Sequence, residues 1–463
     1  MKLFKKLISM ICVCAMGAGA LAGCGTDNSE NSMKEATIWM AVGHSKQFWE
    51  KKVETFNKEL SETYGVKLKL ETKTDESYTQ AIDVAIQSKQ LPDFFSYGTT
   101  SKIDEADLGY PISDLPGMED MIEKYRPYMV EKSHTIGDKV YALPFGMTTR
   151  GLIYNKDMFK AAGLVDENGE AKPPRTFEEV REYAKILTDA SKQEYGIIFP
   201  VKWQSWVMSD ITSLVQASSG SNEGYNPVTG EYDASVLAPV LDMVRGIKED
   251  ESYYPSAESL DNDPARAKFA TGKIGMKFAF SFDVGVLNTQ FPAEMDWGVA
   301  PLPVENTDKC YKQHAMVGMS MLISKSCVEK IGEEAAAAVF KYLYDDDTIK
   351  ELYKEGLEIP CLYELVKDTE PDDITGWKEF SQMTEISVPA GLVMPMDTKG
   401  ETSLNDVIIN EVWAQAADVT SELDKFTQIW NDGVKKYQEL HPELDYSIYY
   451  DEQWDEKVRR ESY

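Results

Sequence analysis

The chain has 463 residues, 43% of them hydrophobic. That is enough for two or three domains with full cores and too apolar for general disorder. With 48 Lys+Arg against 78 Asp+Glu the net charge is −30, which repels phosphate backbones and anionic headgroups and argues against nucleic-acid binding. The acidity itself reads as solubility of an extracellular protein, not as the mark of a particular partner.

The chain opens with Lys2, Lys5 and Lys6, an apolar run from Leu7 to Ala22, then Leu21-Ala22-Gly23-Cys24. A positive start, a short apolar stretch and small residues at its end are the layout of a secretory signal. The stretch is too short and too rich in Gly and Ala for a comfortable span of ~20 residues. Leu-Ala-Gly-Cys resembles a bacterial lipobox, which implies cleavage before Cys24 and a lipid on its sulfur. Residues 1–23 are then a signal peptide and 24–35 a lipidated, turn-rich tether. Losing the three lysines takes the net charge from −30 to −33. Of six cysteines, Cys310, Cys327 and Cys361 remain in the mature fold. They form no zinc pattern and no disulfide framework; three buried thiols or one disulfide both fit.

Thr37 to Val42 predicts a buried strand. Trp49, Val53, Phe56 and Leu60 follow at helical spacing, and Val66, Leu68 and Leu70 alternate as a strand. Tyr78, Ile82, Ala85 and Ile86 mark a second helix, and Pro92 to Ser96 a third strand. Such alternation predicts an α/β unit with a parallel sheet, its ligand crevice at the carboxyl ends of the strands. Further on, Thr176 with Glu179 predicts a capping box. Leu214–Glu223 and Asn226–Glu231 read as loops, and Ala267–Met276 as a helix end, a glycine turn and a strand. Glu333–Tyr344 reads as a helix, and Asp406–His441 as mainly helical.

Several segments together resemble the family 1 extracellular solute-binding proteins of ABC importers. They are Gly151–Phe159 with Ala161–Leu164, Pro174–Glu179, Phe269–Met276, Gly298–Pro303 and Val317–Ser324, with Gly356–Pro360 similar to a further family loop. The resemblance implies an α/β, two-lobed periplasmic-binding-protein-like fold, each lobe a mostly parallel sheet flanked by helices. Residues 36–144 and 303–345 would form lobe I, and 145–302 and 346–463 lobe II. Hinge crossings are expected near Tyr141–Thr149, Gly298–Leu302 and Asp345–Thr348. Paired glycines are common in the family where this chain has Val317-Gly318, so backbone contacts there are set apart. The implied function is capture of a carbohydrate, preferentially an oligosaccharide, by hinge closure and delivery to ABC permease subunits. The protein would be a monomer, exported and lipid-anchored through Cys24 on the outer face of the cytoplasmic membrane. A binder of another polar solute, such as a peptide, and a secreted glycan-active enzyme are the alternatives.

Saccharide capture needs flat apolar faces and a few directed polar groups. The 9 Trp, 24 Tyr and 17 Phe supply such faces in excess, so position must select among them. Trp39 lies in the first strand, with core or cleft both open to it, and His44 follows that strand. Phe95, Tyr97 and Thr99 leave the third strand. Trp203 and Trp206 share a helical face that either staples the helix to its lobe or lines the cleft. Phe280, Ser281 and Asp283 follow the strand after Met276, where Asp283 would accept ligand hydroxyls or cap a helix. His314, beside Met316, precedes the Val317-Gly318 turn, and Trp377 and Trp413 complete the aromatic candidates. Asp166–Glu170 lacks calcium-loop spacing and reads as a solvated turn. No nucleophile, zinc-protease or nucleotide motif occurs, which argues against an enzyme and against a bound cofactor or metal.

Overall fold

The computed structural model describes residues 33–41, 45–73, 75–203, 205–318, 320–401, 403–414 and 418–463. His44 and Cys24 lie outside the described residues.

Two separate sheets organise the chain. The first orders its strands Val66–Thr72, Lys34–Met40, Phe94–Ser96, Met321–Ser324 and Gly109–Tyr110. The second orders Trp297–Ala300, Arg150–Asn155, Ile274–Phe280 and Tyr195–Ile197. In each sheet one strand runs against its neighbours: Met321–Ser324 in the first and Arg150–Asn155 in the second. Both reversed strands come directly after a segment that crosses from the other half of the molecule. A chain arriving from the interlobe side must run away from it, opposite to strands whose carboxyl ends point towards it. The carboxyl ends of the remaining strands therefore face the crossing.

The crossing is itself a small sheet. Gly146–Thr148 pairs antiparallel with Gln313–Gly318, which pairs parallel with Ser387–Pro389. The first crossing falls inside the expected Tyr141–Thr149. Gly298–Leu302 does not cross: Trp297–Ala300 is an edge strand of the second sheet, paired with Arg150–Asn155. The chain stays on that side for another ten residues, with Phe177 N donating to Val304 O at 3.0 Å and Tyr311 N to Ala217 O at 2.9 Å. The apolar run Gly298–Pro303 satisfies its backbone within the second sheet, and the return strand is Gln313–Gly318.

The local signals act as their chemistry requires. The Lys46–Glu59 helix buries Phe48, Trp49, Val53 and Phe56 at a spacing of three and four. Thr176 and Glu179 form a reciprocal capping box on the Phe177–Ile186 helix. Gly272, at φ 74°, turns the chain from the Asn262–Lys268 helix into the Ile274–Phe280 strand, a conformation open to glycine. One expectation fails: Thr212–Ser219 is a helix, not the start of a loop. Its serines are poor helix formers, but Leu214, Val215 and Ala217 are buried, and tertiary packing outweighs propensity. Asn226–Glu231 is the turn of a two-stranded ribbon, Tyr225 opposite Tyr232.

One apolar core runs from the first sheet (Ile38, Phe94, Ile323) through Phe145 and Tyr344 to one face of the second sheet (Ile153, Ala279, Trp297) and Phe380 of the Trp377–Gln382 helix. A second core covers the other face of the second sheet, from Leu152 and Phe278 to Trp206, Trp413 and Trp430. Cys310, Cys327 and Cys361 are free, buried thiols. Asp166 Oδ1 accepts from Asn168 N and Glu170 N, an exposed turn closed on itself, and no metal-binding cluster occurs among the described residues. No helix among them is long and apolar enough to cross a membrane.

Candidate functional site

Where the second sheet meets the crossing, Phe280 is the last residue of its strand and pairs with Arg150, the first of the reversed strand. The Arg150 guanidinium lies 4.4 Å from the centre of the Phe280 ring, and its Nη1 donates to Ser209 O and Ser213 Oγ on the helical segment after Trp206. Burial lowers Arg150 to about 10, with Asp210 and Glu223 pulling the other way. Phe282 stacks on Phe280 at 4.8 Å and 10° and is 47% exposed. Trp203 stands edge-on to Phe280 at 6.4 Å and 82° and is partly exposed. Trp203, Phe280 and Phe282 thus form an aromatic wall with a cation behind it. Phe280 itself is buried under Phe282 and Arg150, and the Arg266 guanidinium lies 5.4 Å from the Phe282 ring centre. The exposed parts of Phe282 and Trp203 are therefore what the wall offers to the C–H surface of a sugar ring.

The other members of this segment are structural. Asp283 is 1% exposed, its Oδ1 2.5 Å from Arg266 Nη2, and its Oδ2 accepts from Phe280 N. It fixes the strand end and the short helix after it, and does not reach into the cleft. Ser281 Oγ accepts from Thr149 N, tying that turn to the first crossing. Lys277 is buried in the strand, donates to Phe278 O, and has its charge offset by Asp283 and Asp210. Asp210, buried beside them, is pushed up to about 6.

On the first-sheet side, Tyr97 N donates to Ser320 O at 3.1 Å, next to the start of the reversed strand, and its hydroxyl donates to Asp83. Thr99 Oγ1 donates to Lys132 O. Both are partly exposed at the carboxyl edge. Phe95 is fully buried, because strand alternation turns it into the apolar cluster with Tyr78 and Ile82. Trp39 packs against the same cluster from a partly buried position, with Lys73 4.5 Å over its ring.

Three further expected aromatics, Trp206, Trp413 and Trp377, are core like Phe95. Trp206 is fully buried between Phe199 and Trp413, so of the Trp203–Trp206 pair it is the staple. Trp413 donates to Glu258 Oε1 at 2.6 Å and Trp377 to Tyr353 O at 3.0 Å; both are buried far along the chain from the wall. His314 is 5% exposed, edge-on to Trp454 at 5.5 Å, and burial lowers it to about 3. Among the described residues neither ring nitrogen has a hydrogen-bond partner.

Sequence reasoning missed Arg150, and it did not single out Phe282 within the Phe280–Asp283 segment. Arg150 was legible as a cation opening an otherwise apolar strand, and Phe282 as the residue beyond the strand's last buried position. It also missed a cavity of about 950 Å³ beside the Ser387–Pro389 strand. Met129, Val130 and Glu131 line it from one side, and Tyr449, Tyr450 and Trp454 from the other. Lys132 Nζ donates to Tyr449 OH at 2.7 Å across the same gap. Its volume lies near the upper end for small-molecule sites.

Among known proteins, the maltotriose-binding protein of Pyrococcus abyssi is 25% identical over 299 residues, 63% of this chain and 59% of its own length. The sn-glycerol-3-phosphate-binding periplasmic protein UgpB of Escherichia coli K12 is 25% identical over 234 residues, 49% of this chain and 50% of its own. The chain thus spans between half and three-fifths of these relatives. The sugar-binding protein MalE of Xanthomonas citri superposes with a TM-score of 0.66 at 16% identity, covering 89% of this chain and 100% of that one. That likeness shows the two-lobed fold. A match over residues 43–350 to the bacterial extracellular solute-binding proteins settles the family, and the chain belongs to it.

Proposed function

We propose that this protein is the solute-binding subunit of an ABC importer, closing two lobes over a carbohydrate, an oligosaccharide by preference, and passing it to a membrane permease. The observation that carries the reading is the aromatic wall of Trp203, Phe280 and Phe282 at the strand ends that face the crossing. Ring faces of this kind bind sugars, and their place beside a three-stranded hinge lets closure bury the ligand. The names of the maltotriose-binding relative and of the sugar-binding MalE point the same way, whereas UgpB is named for sn-glycerol 3-phosphate. The ligand would stabilise the closed state by its greater affinity for it.

Lobe I would comprise 36–144 and, after the second crossing, about 320–345, and lobe II the remainder of the fold. Trp39, Tyr97 and Thr99 would face the ligand from lobe I, and Trp203 and Phe282 from lobe II, with the buried Phe280 ring backing them. The protein would act as a monomer, held at the outer face of the cytoplasmic membrane by a lipid on Cys24. It would bind without converting its ligand.

The test is a thermal-shift screen of the full chain in detergent. The panel is maltose, maltotriose, raffinose, chitotriose, sn-glycerol 3-phosphate and a tripeptide. Binding to the folded state alone raises the melting temperature by mass action. A shift with a glycan recovered unchanged supports the reading. Recovery of a cleaved glycan makes the protein an enzyme, and a shift with the tripeptide alone removes the carbohydrate.

A further inference from the structure

Residues 358–361 run antiparallel beside the first crossing strand and extend the hinge sheet. Met147 N donates to Ile359 O at 2.8 Å, Cys361 N to Phe145 O at 3.1 Å, and Gly146 pairs with Pro360. Residues opposite one another share a face, and the face alternates along each strand. This register places Glu358 opposite Thr148, which on its other side pairs with Met316, while Gly146 pairs with Gly318. The other face of the sheet is closed, with Met147, Ala315 and Cys361 in a buried cluster with Tyr128 and Val317. The Glu358 face is open: Met316 is 47% exposed and Gly318 is exposed. Arg150 and His314 lie two residues further along that face, which leads to the aromatic wall.

Glu358 occupies the space of a missing side chain. A Cβ at Gly146 would fall 1.7 Å from Glu358 Oε1 and 2.4 Å from its Cδ. Glycine at 146 is what admits the carboxyl to the floor of the gap. Among the described residues the carboxyl has no hydrogen-bond or ion-pair partner, and burial alone pushes it up to about 8. Glu358 is partly exposed as a residue, while its carboxyl is surrounded by protein. An unpaired carboxyl deep in a protein is costly unless something else satisfies it.

We propose that Glu358 is a ligand-contacting, specificity-determining residue on the floor of the cleft, exchanging hydrogen bonds with hydroxyl groups of a neutral polyhydroxylated ligand. The inference rests on the carbohydrate reading above. A neutral carboxyl both donates and accepts, matching the two roles of a sugar hydroxyl; an ionised one only accepts. Lobe closure would also strip water from the ionised form. Capture should therefore weaken as Glu358 loses its proton, and phosphorylated or acidic sugars should be disfavoured. The neighbouring groups do not titrate in that range. On the same face, His314 is lowered to about 3 and Arg150 only to about 10. On its own segment, burial holds the Cys361 thiol well above its usual range, and Tyr128 behind it is raised likewise.

The experiment titrates maltotriose by calorimetry into the full chain in detergent, wild type, Glu358→Gln and Glu358→Ala, between about pH 6.5 and 9. Melting of each unliganded protein is followed alongside. Wild-type affinity should fall about tenfold by one pH unit above the midpoint, as the protonated fraction does. Glu358→Gln should bind a few-fold more weakly at pH 6.5, with no pH dependence. Glu358→Ala should lose about tenfold, the worth of a buried hydrogen bond. Flat wild-type affinity, or an alanine variant that melts normally and binds like wild type, overturns the role of Glu358 and leaves the carbohydrate reading standing. If maltotriose fails at every pH, raffinose and chitotriose replace it. Silence from all three in normally folded protein overturns the carbohydrate reading, and this inference with it.

Discussion

Arg266 Nη2 lies 2.5 Å from Asp283 Oδ1, and that carboxylate is 1% exposed at the end of the strand that presents the aromatic wall. The pair converts a residue suited to ligand hydroxyls into a structural anchor. Asp283 also receives Phe280 N and offsets the buried Lys277. Breaking a buried ion pair by removing one partner leaves the other charge uncompensated. Asp283→Ala should lower stability by about 3 kcal/mol or more in urea unfolding. A loss of ligand affinity with unchanged stability would contradict the structural assignment.

Trp203, Phe282 and Trp206 should separate cleanly. Trp206→Ala empties a fully buried site and should cost about 3–5 kcal/mol of stability. Trp203→Ala and Phe282→Ala remove partly exposed rings. Each should change stability little and weaken sugar binding by about tenfold, read as Kd by calorimetry. If both leave the Kd unchanged, the aromatic wall is not the binding surface.

Gly146 and Glu358 compete for one space. Gly146→Ala should destabilise by about 1–3 kcal/mol, because the new Cβ meets the Glu358 carboxyl. Glu358→Ala should rescue most of that loss. A double-mutant cycle with an interaction energy near zero would show that the two do not meet.

Two buried histidines set the acid limb of stability. Burial lowers His134 to about 4 and His314 to about 3, against an ordinary value of 6.5. Between those values the unfolded chain binds more protons, so stability rises with pH. The contribution is complete above about pH 6.5 and is lost as pH falls through about 4 and then 3. His134 Nδ1 accepts from Val130 N, and its Nε2 shares a hydrogen bond of 2.9 Å with Ser320. His134→Gln should flatten the upper part of that limb by up to ~3 kcal/mol. Buried acids act in the opposite direction. Asp210 is pushed up to about 6 and Glu358 to about 8, so each favours the fold below its ordinary range and loses that advantage as pH rises through the shifted value. Chemical unfolding across about pH 3 to 9 should show stability declining on both sides of a slightly acidic maximum.

Local chemistry made the elements legible. Helical spacing of Trp49, Val53 and Phe56, alternation at Val66 and Leu68, the Thr176–Glu179 cap and the glycine turn at Gly272 all report on neighbours within a few residues. The motifs ordered along residues 151–324 carried the family with them. The Thr212–Ser219 helix escaped because its own residues disfavour it and only its buried contacts hold it.

The site was legible in region but not in residue. Sequence placed aromatic candidates at the carboxyl ends of strands, and the wall proposed as the binding surface lies at one such end. Which ring faces outward depends on the parity of a strand and on what packs behind it. Thus Phe280 is buried and Phe282 exposed, and Trp206 is core while Trp203 is not. The floor was less legible still, since Glu358 and Gly146 are 212 positions apart and meet only because residues 358–361 pair with the first crossing. Hydrophobic spacing and capping act over a turn or a few residues, so the sequence by itself determined the elements, the α/β class and the family. Burial, register and charge compensation depend on partners distant in the chain. Tertiary structure alone therefore decided that Asp283 anchors a strand, that Gln313–Gly318 is the returning crossing, and that the Glu358 carboxyl lies against Gly146 on the open face of the hinge.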